Sequence, residues 1–188
     1  MKKHLPMREI RMLAVLPLLL FTLAASARTQ DGDPASVKNG RSFAERLMVE
    51  LSVGAGTGCN GVKPLELSAR IGYRFVPRVY AFVQSGALYG LYDEEHGQHY
   101  SLSQNLGGGL GWTVYKDKEL PFQFDLRGSV AAGIGNADWK HVVYDIGFVM
   151  GVGRGLKFNV GAGFRHVSSR TAGIGTYNGL YCTLGVGF

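Results

Sequence analysis

One short run of the sequence, Phe164-Arg165-His166-Val167-Ser168, carries side chains that could do chemistry. Residues two apart in a β-strand point to the same face, so His166 and Ser168 share a face with Phe164. The apolar Phe164 indicates that this face meets lipid, and the order of the segments puts the two polar side chains at the outer-leaflet end of a strand. Polar groups in that position could act on lipid molecules.

No other stretch has the spacing of a known reactive or ligand-binding motif. Zinc-ligand spacing, a phosphate-binding glycine loop and a nucleophile elbow are all missing from the sequence. The run Gly107-Gly108-Gly109 is not followed by a helical pattern, and we assign it to sheet curvature. His96, His99 and His141 fall at predicted loop edges, where we interpret them as solvated polar residues. We therefore predict no cofactor and no metal.

The elements that must position these residues are strands, because a two-residue hydrophobic alternation begins at Leu47 and continues to the last residue. No helical period of comparable length occurs. The alternating segments lie near residues 47–55, 65–75, 79–91, 102–114, 122–130, 142–152, 156–164 and 180–188. In the third segment the facing is ambiguous, because Tyr80 and Phe82 compete with apolar neighbours of the other parity.

The two faces of these segments differ in chemistry, and this difference indicates the solvent of each. One face is bulky and apolar, whereas the other is rich in glycine and ionic. Its charged residues are Glu50, Glu66, Arg70, Arg74, Asp125, Arg127, Asp145, Lys157 and Arg165. Glycine and paired charges suit a narrow lumen, and bulky apolar side chains suit lipid. The reverse arrangement would bury the charges and expose every leucine to water.

We therefore predict an all-β fold, an eight-stranded antiparallel up-and-down transmembrane β-barrel. Closure follows because an open strand edge in hydrocarbon leaves backbone groups unpaired. Eight strands enclose a space that side chains can fill. The inner charges should accordingly form a plug that satisfies itself, and not a solute pathway.

The first residues have the layout of a secretory signal peptide. Basic residues precede an apolar run from Met12 to Ala25, and Ala25-Ser26-Ala27 fits a cleavage site. An uncleaved anchor is the alternative, but the run is shorter than the ~20 residues that a span needs. We predict a signal peptide at 1–27, a periplasmic linker at 28–42 and the outer-membrane barrel at 43–188.

Charge, cysteines and connections limit the remaining possibilities. Removing residues 1–27 takes away four basic residues and one acidic residue, so the net charge falls from +6 to +3 and does not favour nucleic-acid binding. Export permits a disulfide, but Cys59 is predicted in an outer loop and Cys182 on the lipid face, so we do not expect the two cysteines to meet.

Tight periplasmic turns are predicted near 76–78, 116–118 and 153–155. Outer loops are predicted near 57–63, 92–99, 135–140 and 169–175.

From about Leu47 onward the chain resembles the small eight-stranded outer-membrane barrels of bacteria. The alternating segment from Leu180 to Phe188 resembles their C-terminal signal, which the barrel-assembly machinery reads. The resemblance implies a bacterial outer-membrane location, with membrane lipid and lipopolysaccharide as neighbours. It specifies little about function.

The sequence around His166 also resembles the lipid A deacylase barrels, which carry a membrane-facing His-x-Ser pair on the penultimate strand and a glutamate on the last. In that family the serine attacks an ester-linked acyl chain of lipopolysaccharide, the histidine is the general base, and the glutamate orients it. His166 and Ser168 match the pair. The family's asparagine after the serine is Ser169 here, and the glutamate position falls at or near Asn178. An asparagine can orient an imidazole but cannot give an imidazolium a full opposite charge.

These observations leave three functions open. The first is a non-catalytic outer-membrane barrel with a structural, envelope-maintaining or surface-interaction role, in which the polar residues mark where strands leave hydrocarbon. The alternative is a lipid A deacylase-like serine esterase with His166, Ser168 and Asn178 as catalytic residues. A third is a surface adhesin or receptor that binds through the loops near 92–99 and 135–140.

Overall fold

A computed structural model describes residues 43–59, 62–94, 97–117, 119–135, 139–172 and 175–188, with the backbone alone at 44, 92–94 and 97–101. The predicted signal peptide and linker, and His96, lie outside the described residues, as does the side chain of His99. None of the helices within these ranges has the length and apolar character needed to traverse a bilayer.

The described chain consists of one helical turn followed by eight strands, all antiparallel to their neighbours. The elements are α1 (Phe43–Arg46), β1 (Leu47–Gly56), β2 (Val62–Val76), β3 (Val79–Glu94), β4 (Gly97–Lys116), β5 (Phe122–Ile134), β6 (His141–Val152), β7 (Lys157–Ser169) and β8 (Tyr177–Gly187). Each strand pairs with the next in sequence, and β8 pairs with β1. The predicted closed up-and-down barrel is therefore confirmed.

The two ends of the barrel differ in their connections. Both described chain ends and the connections after β2, β4 and β6 lie at one end, which we call the turn end; the connections after β1, β3, β5 and β7 lie at the loop end. The predicted loop at 92–99 is wrong for most of its length. Tyr92 pairs with His99, and Glu94 pairs with Gly97, because the alternation of β3 and β4 continues as a paired hairpin beyond the other strands.

The outer wall of the barrel is apolar, as the sequence predicts. Large apolar side chains at outward positions are exposed, among them Val53, Leu65, Val83, Leu106, Leu110, Val130, Ile146, Phe148, Phe158, Val160, Leu180 and Leu184. In β3 the structure settles the ambiguous facing, because Tyr80 and Phe82 are buried and Val83 is exposed. A continuous apolar wall of this kind requires a lipid environment, which makes the barrel a transmembrane one.

The middle of the lumen is filled by ion pairs. Glu50 accepts hydrogen bonds from Arg70 at 2.8 Å and from Arg127 at 2.9 Å. Arg165 bonds to Glu66 at 2.5 Å and to Asp145 at 2.7 Å. The pairs Glu50–Arg70 and Asp145–Arg165 also lie directly opposite in the strand register. The predicted plug of self-satisfying charges is therefore confirmed for these residues.

The loop end of the lumen is closed by an apolar cluster. Its buried members are Val62, Leu88, Trp139, Val143, Val167 and Tyr177. The prediction that His141 is solvated is wrong, because the inward parity of β6 turns His141 into the lumen, where it is 2% exposed. The Trp139 ring lies 4.6 Å from the His141 ring, centroid to centroid, and covers it.

Glycine at lumen positions permits close approach of neighbouring groups. At Gly111 an added Cβ would collide with the ring of Tyr80, whose hydroxyl donates to Asp125 at 2.7 Å and accepts from Arg127 at 2.7 Å. Gly111 therefore leaves the space that this buried phenol needs. At the turn end the lumen widens into a cavity of about 500 Å³ lined by residues of both charge signs.

Candidate functional site

Strand register brings together three outward side chains near the loop end. His166 on β7 lies directly opposite Tyr144 on β6 and opposite Asn178 on β8. Side chains that face each other across paired strands have Cβ atoms about 4.5–5.5 Å apart. His166 is therefore flanked by an amide on one side and a phenol on the other.

The His166 imidazole is oriented by Asn178. Nδ1 of His166 lies 2.5 Å from Oδ1 of Asn178. An amide oxygen can only accept a hydrogen bond, so this contact requires the tautomer with hydrogen on Nδ1. In the neutral ring with this tautomer, Nε2 carries the lone pair that can accept a proton. This is the tautomer in which a triad histidine takes a proton from a serine.

Ser168 shares the outward face but is not bonded to the histidine. It lies opposite Val142, one outward position beyond His166 toward the loop end, and is partly buried. Among the described residues it has no hydrogen bond to His166. Hydrogen bonds between catalytic groups often tighten only when substrate binds.

Tyr144 completes this patch, and it was not among the predicted site residues. Its ring centroid lies 5.9 Å from that of His166, and its side chain is 47% exposed. The alternation of β6 already placed Tyr144 on the lipid side. Its position beside His166 depends on the register between β6 and β7, which hydrophobic alternation does not specify.

The described residues also limit other chemistry. Within the ranges given above, no group of three or more His, Cys, Asp or Glu side chains could hold a metal ion. Both cysteines are free: Cys182 is exposed at an outward position of β8, and Cys59 is partly buried near the loop end.

The fold and this patch define a closed eight-stranded transmembrane β-barrel with a polar, imidazole-containing patch on its lipid-facing wall. No family sequence model matches the chain, and no curated protein matches it. Solved structures do match. They include the N-terminal β-barrel domain of Pseudomonas aeruginosa OprF, with 12% identity and a TM-score of 0.48 over 76% of this chain and 95% of that one.

Two further solved structures are similar to this chain. The outer membrane enzyme PagL has 14% identity and a TM-score of 0.42, over 73% of this chain and 96% of that one. A de novo designed transmembrane β-barrel has 15% identity and a TM-score of 0.40, over 80% and 98%. Similarities of this size concern the fold and carry no argument about function. The predicted resemblance to small membrane barrels is confirmed at the level of the closed eight-stranded fold.

Proposed function

We propose that this protein resides in the bacterial outer membrane and has a structural, envelope-maintaining or surface-interaction role. The observation that carries this proposal is the filled lumen. Arg165 and its partners occupy the middle, and Trp139 with its apolar neighbours closes the loop end. In the described part of the barrel these side chains block the lumen, which argues against a transport function.

The outer-membrane location is supported by the signal-peptide layout and by the C-terminal strand. From Leu180 onward β8 is apolar on its outward side, and the backbone of Phe188 bonds to Val49 at 2.9 Å in both directions. The last residue is thus part of the closed seam between β8 and β1. A strand of this kind would be available to the barrel-assembly machinery until the seam forms.

Planar-bilayer recording of the refolded chain 28–188 tests the closed-lumen role. Without an open path, insertion should produce no stable conductance steps, whereas an open porin recorded in the same bilayer should produce them. Insertion itself is verified by a mobility shift between unheated and boiled samples on a gel. Stable unitary steps from samples that show this shift would contradict the proposal.

A second function, ester hydrolysis on the lipid-facing wall, is favoured by one observation, the His166–Asn178 hydrogen bond. Under this proposal Ser168 Oγ attacks the carbonyl of an acyl ester while Nε2 of His166 takes its proton. The alcohol of the headgroup leaves with that proton, and water then releases the fatty acid from the acyl-serine. The substrate class is the ester-linked acyl chains of lipopolysaccharide.

The transition state of this reaction needs a donor for its oxyanion. Backbone amides of paired strands are engaged in the ladder, so the donor would have to be a side chain. The hydroxyl of Tyr144, beside His166, is the neighbouring candidate. Asn178 would orient the imidazole without adding a charge.

Fatty-acid release from lipopolysaccharide, followed by mass spectrometry, separates the two functions. The esterase proposal expects release by the wild type and none by Ser168→Ala or His166→Ala. Ser85→Ala is the matched control, because Ser85 is an outward serine on β3, whose register neighbours are Ala69 and Leu106. Equal release by the wild type and Ser168→Ala, or none from any preparation, would refute this second function.

An envelope phenotype tests the structural role independently of hydrolysis. A host strain without the gene should become more sensitive to detergent, and Ser168→Ala should restore resistance as well as the wild type does. Complementation by the wild type alone would show that the envelope role requires the serine and would refute a purely structural role.

A further inference from the structure

The outward pairs along β6 and β7 become more polar toward the loop end. Ile146 lies opposite Phe164, Tyr144 opposite His166, and Val142 opposite Ser168. Successive outward pairs are separated by two residues, or about 7 Å along a strand. The wall therefore passes from hydrocarbon-compatible to amphipathic and then to small side chains over two such steps.

The next outward pair is cationic. Beyond the rung formed by His141 and Ser169, the backbone N–H of Arg170 donates to the carbonyl of Lys140 at 2.7 Å. Lys140 and Arg170 thus continue the ladder for one more rung on the side away from the lumen, and both are exposed. Two cations on adjacent strands terminate the column of outward side chains that contains Ser168.

The backbone of this cationic pair is held in place by its neighbours. Lys140 N–H donates to the hydroxyl of Thr171 at 2.8 Å. The preceding residue, Trp139, is 0% exposed, and its indole N–H donates to Ser169 at 3.3 Å. The backbone of the pair is consequently attached to the apolar cluster that closes the barrel, so that binding a ligand has to order only the two side chains.

We propose that Lys140 and Arg170 form a binding site for a phosphate group on the headgroup of lipopolysaccharide. Arginine can bind phosphate oxygens through two parallel N–H groups, and lysine adds a compact positive charge. The pair lies about 7 Å beyond Ser168, where a column that starts in hydrocarbon reaches headgroup level. Among the described residues neither side chain forms an ion pair that would compete with a phosphate.

This site rests on the proposed outer-membrane location and does not require ester hydrolysis. The cationic pair would bind the headgroup of the lipid, whereas the proposed hydrolysis takes place at its acyl chains. A barrel without esterase activity would still bind phosphorylated lipopolysaccharide through this pair. Binding and hydrolysis are therefore measured separately and can fail separately.

The test measures binding of lipopolysaccharide to the refolded barrel in detergent by native mass spectrometry. Wild type is compared with the double variant Lys140→Ala/Arg170→Ala. Lys63→Ala is the matched control, since Lys63 is an exposed cation at the loop-end start of β2, away from β6 and β7. The mobility shift on heating shows that each variant is folded.

At roughly 1 kcal/mol for each cation near a membrane surface, loss of both should weaken binding about 30-fold. Lys63→Ala should retain nearly all of the affinity. Dephosphorylated lipopolysaccharide should bind the wild type as weakly as intact lipopolysaccharide binds the double variant. Millimolar inorganic phosphate should compete with intact lipopolysaccharide.

Three results would overturn the proposal. The first is equal binding by the wild type and the double variant. The second is an equal loss in Lys63→Ala, which would indicate non-specific attraction by cations at the loop end of the barrel. The third is equally tight binding of phosphatidylglycerol, also lost in the double variant, which would assign the pair to anionic lipids in general.

Discussion

Replacing Arg165 with methionine tests whether the lumen charges act as a mutually dependent network. Arg165 is 2% exposed and donates to Asp145 at 2.7 and 2.8 Å and to Glu66 at 2.5 Å. Its guanidinium also lies 4.7 Å from the centre of the Tyr181 ring. Methionine fills a similar volume without charge, so the variant isolates the loss of the cation from the loss of packing.

The expected loss of stability follows from the two carboxylates, Glu66 and Asp145, that lose their partner in this variant. Glu66 keeps one hydrogen bond, from Asn105 at 3.1 Å, but both carboxylates lose their guanidinium partner. Removing one partner of a buried ion pair costs about 3–5 kcal/mol, so Arg165→Met should lower the free energy of unfolding by about 4 kcal/mol. Adding Glu66→Gln and Asp145→Asn removes the stranded charges. The triple variant should then recover about 2 kcal/mol or more, because only the hydrogen bonds are lost.

Reversible urea unfolding in short-chain lipid vesicles, followed by tryptophan fluorescence, gives these free energies. Arg78→Met is the control, because Arg78 is exposed in the turn between β2 and β3 and its replacement should change stability by about 0.5 kcal/mol or less. A loss below about 1 kcal/mol in Arg165→Met would show that the lumen charges do not depend on one another. So would a triple variant as unstable as the single one.

Three further predictions test the facing of the wall and the packing of the lumen. Brominated lipid should strongly quench the fluorescence of Trp139→Phe, in which the outward Trp112 is the remaining tryptophan. It should have little effect on Trp112→Phe, which keeps the buried Trp139. The opposite order would show that the faces of the wall are assigned the wrong way round. A water-soluble maleimide should label Cys59 in lipid vesicles much faster than Cys182, and equal rates would contradict the lipid-facing position of the latter. Gly111→Ala should displace the ring of Tyr80 and lower the free energy of unfolding by about 1–3 kcal/mol in the same urea assay. An unchanged unfolding midpoint would show that the ring has room to move.

The strands and their faces could be predicted from the sequence because alternation has one physical cause in a membrane barrel. A residue such as Leu184 meets lipid and a neighbour such as Gly185 meets the lumen, so the two-residue period persists through the whole wall. The closed topology followed from the need to pair every strand edge. Where both parities carry large side chains, as at Tyr80 in β3, the period alone could not choose the inward face.

The environment of the loop end could not be predicted from the same signal. His141 lies at the first position of β6, where a strand edge and a loop have the same composition. Its burial depends on Trp139, which precedes the strand and turns into the lumen beside Gly90, where a side chain would have no space. The same limit applies to the patch around His166. Its outward direction follows from parity, but its contacts with Tyr144 and Asn178 require the register.

Replacing Asn178 with glutamate tests whether the uncharged orienting residue limits the proposed hydrolysis. Asn178 is exposed on the outer wall, where a carboxylate at the middle of the bilayer would be costly. Near the interface that cost falls to about 1 kcal/mol or less. The cationic pair lies two outward positions beyond His166, so under the phosphate-site proposal the patch is close to headgroup level. Asn178→Glu should therefore still fold, with an unchanged mobility shift on heating. A carboxylate stabilises the imidazolium that forms when His166 accepts a proton, so fatty-acid release should rise above the wild-type rate. A folded Asn178→Glu barrel that releases no more than the wild type would show that the charge on the histidine does not limit hydrolysis.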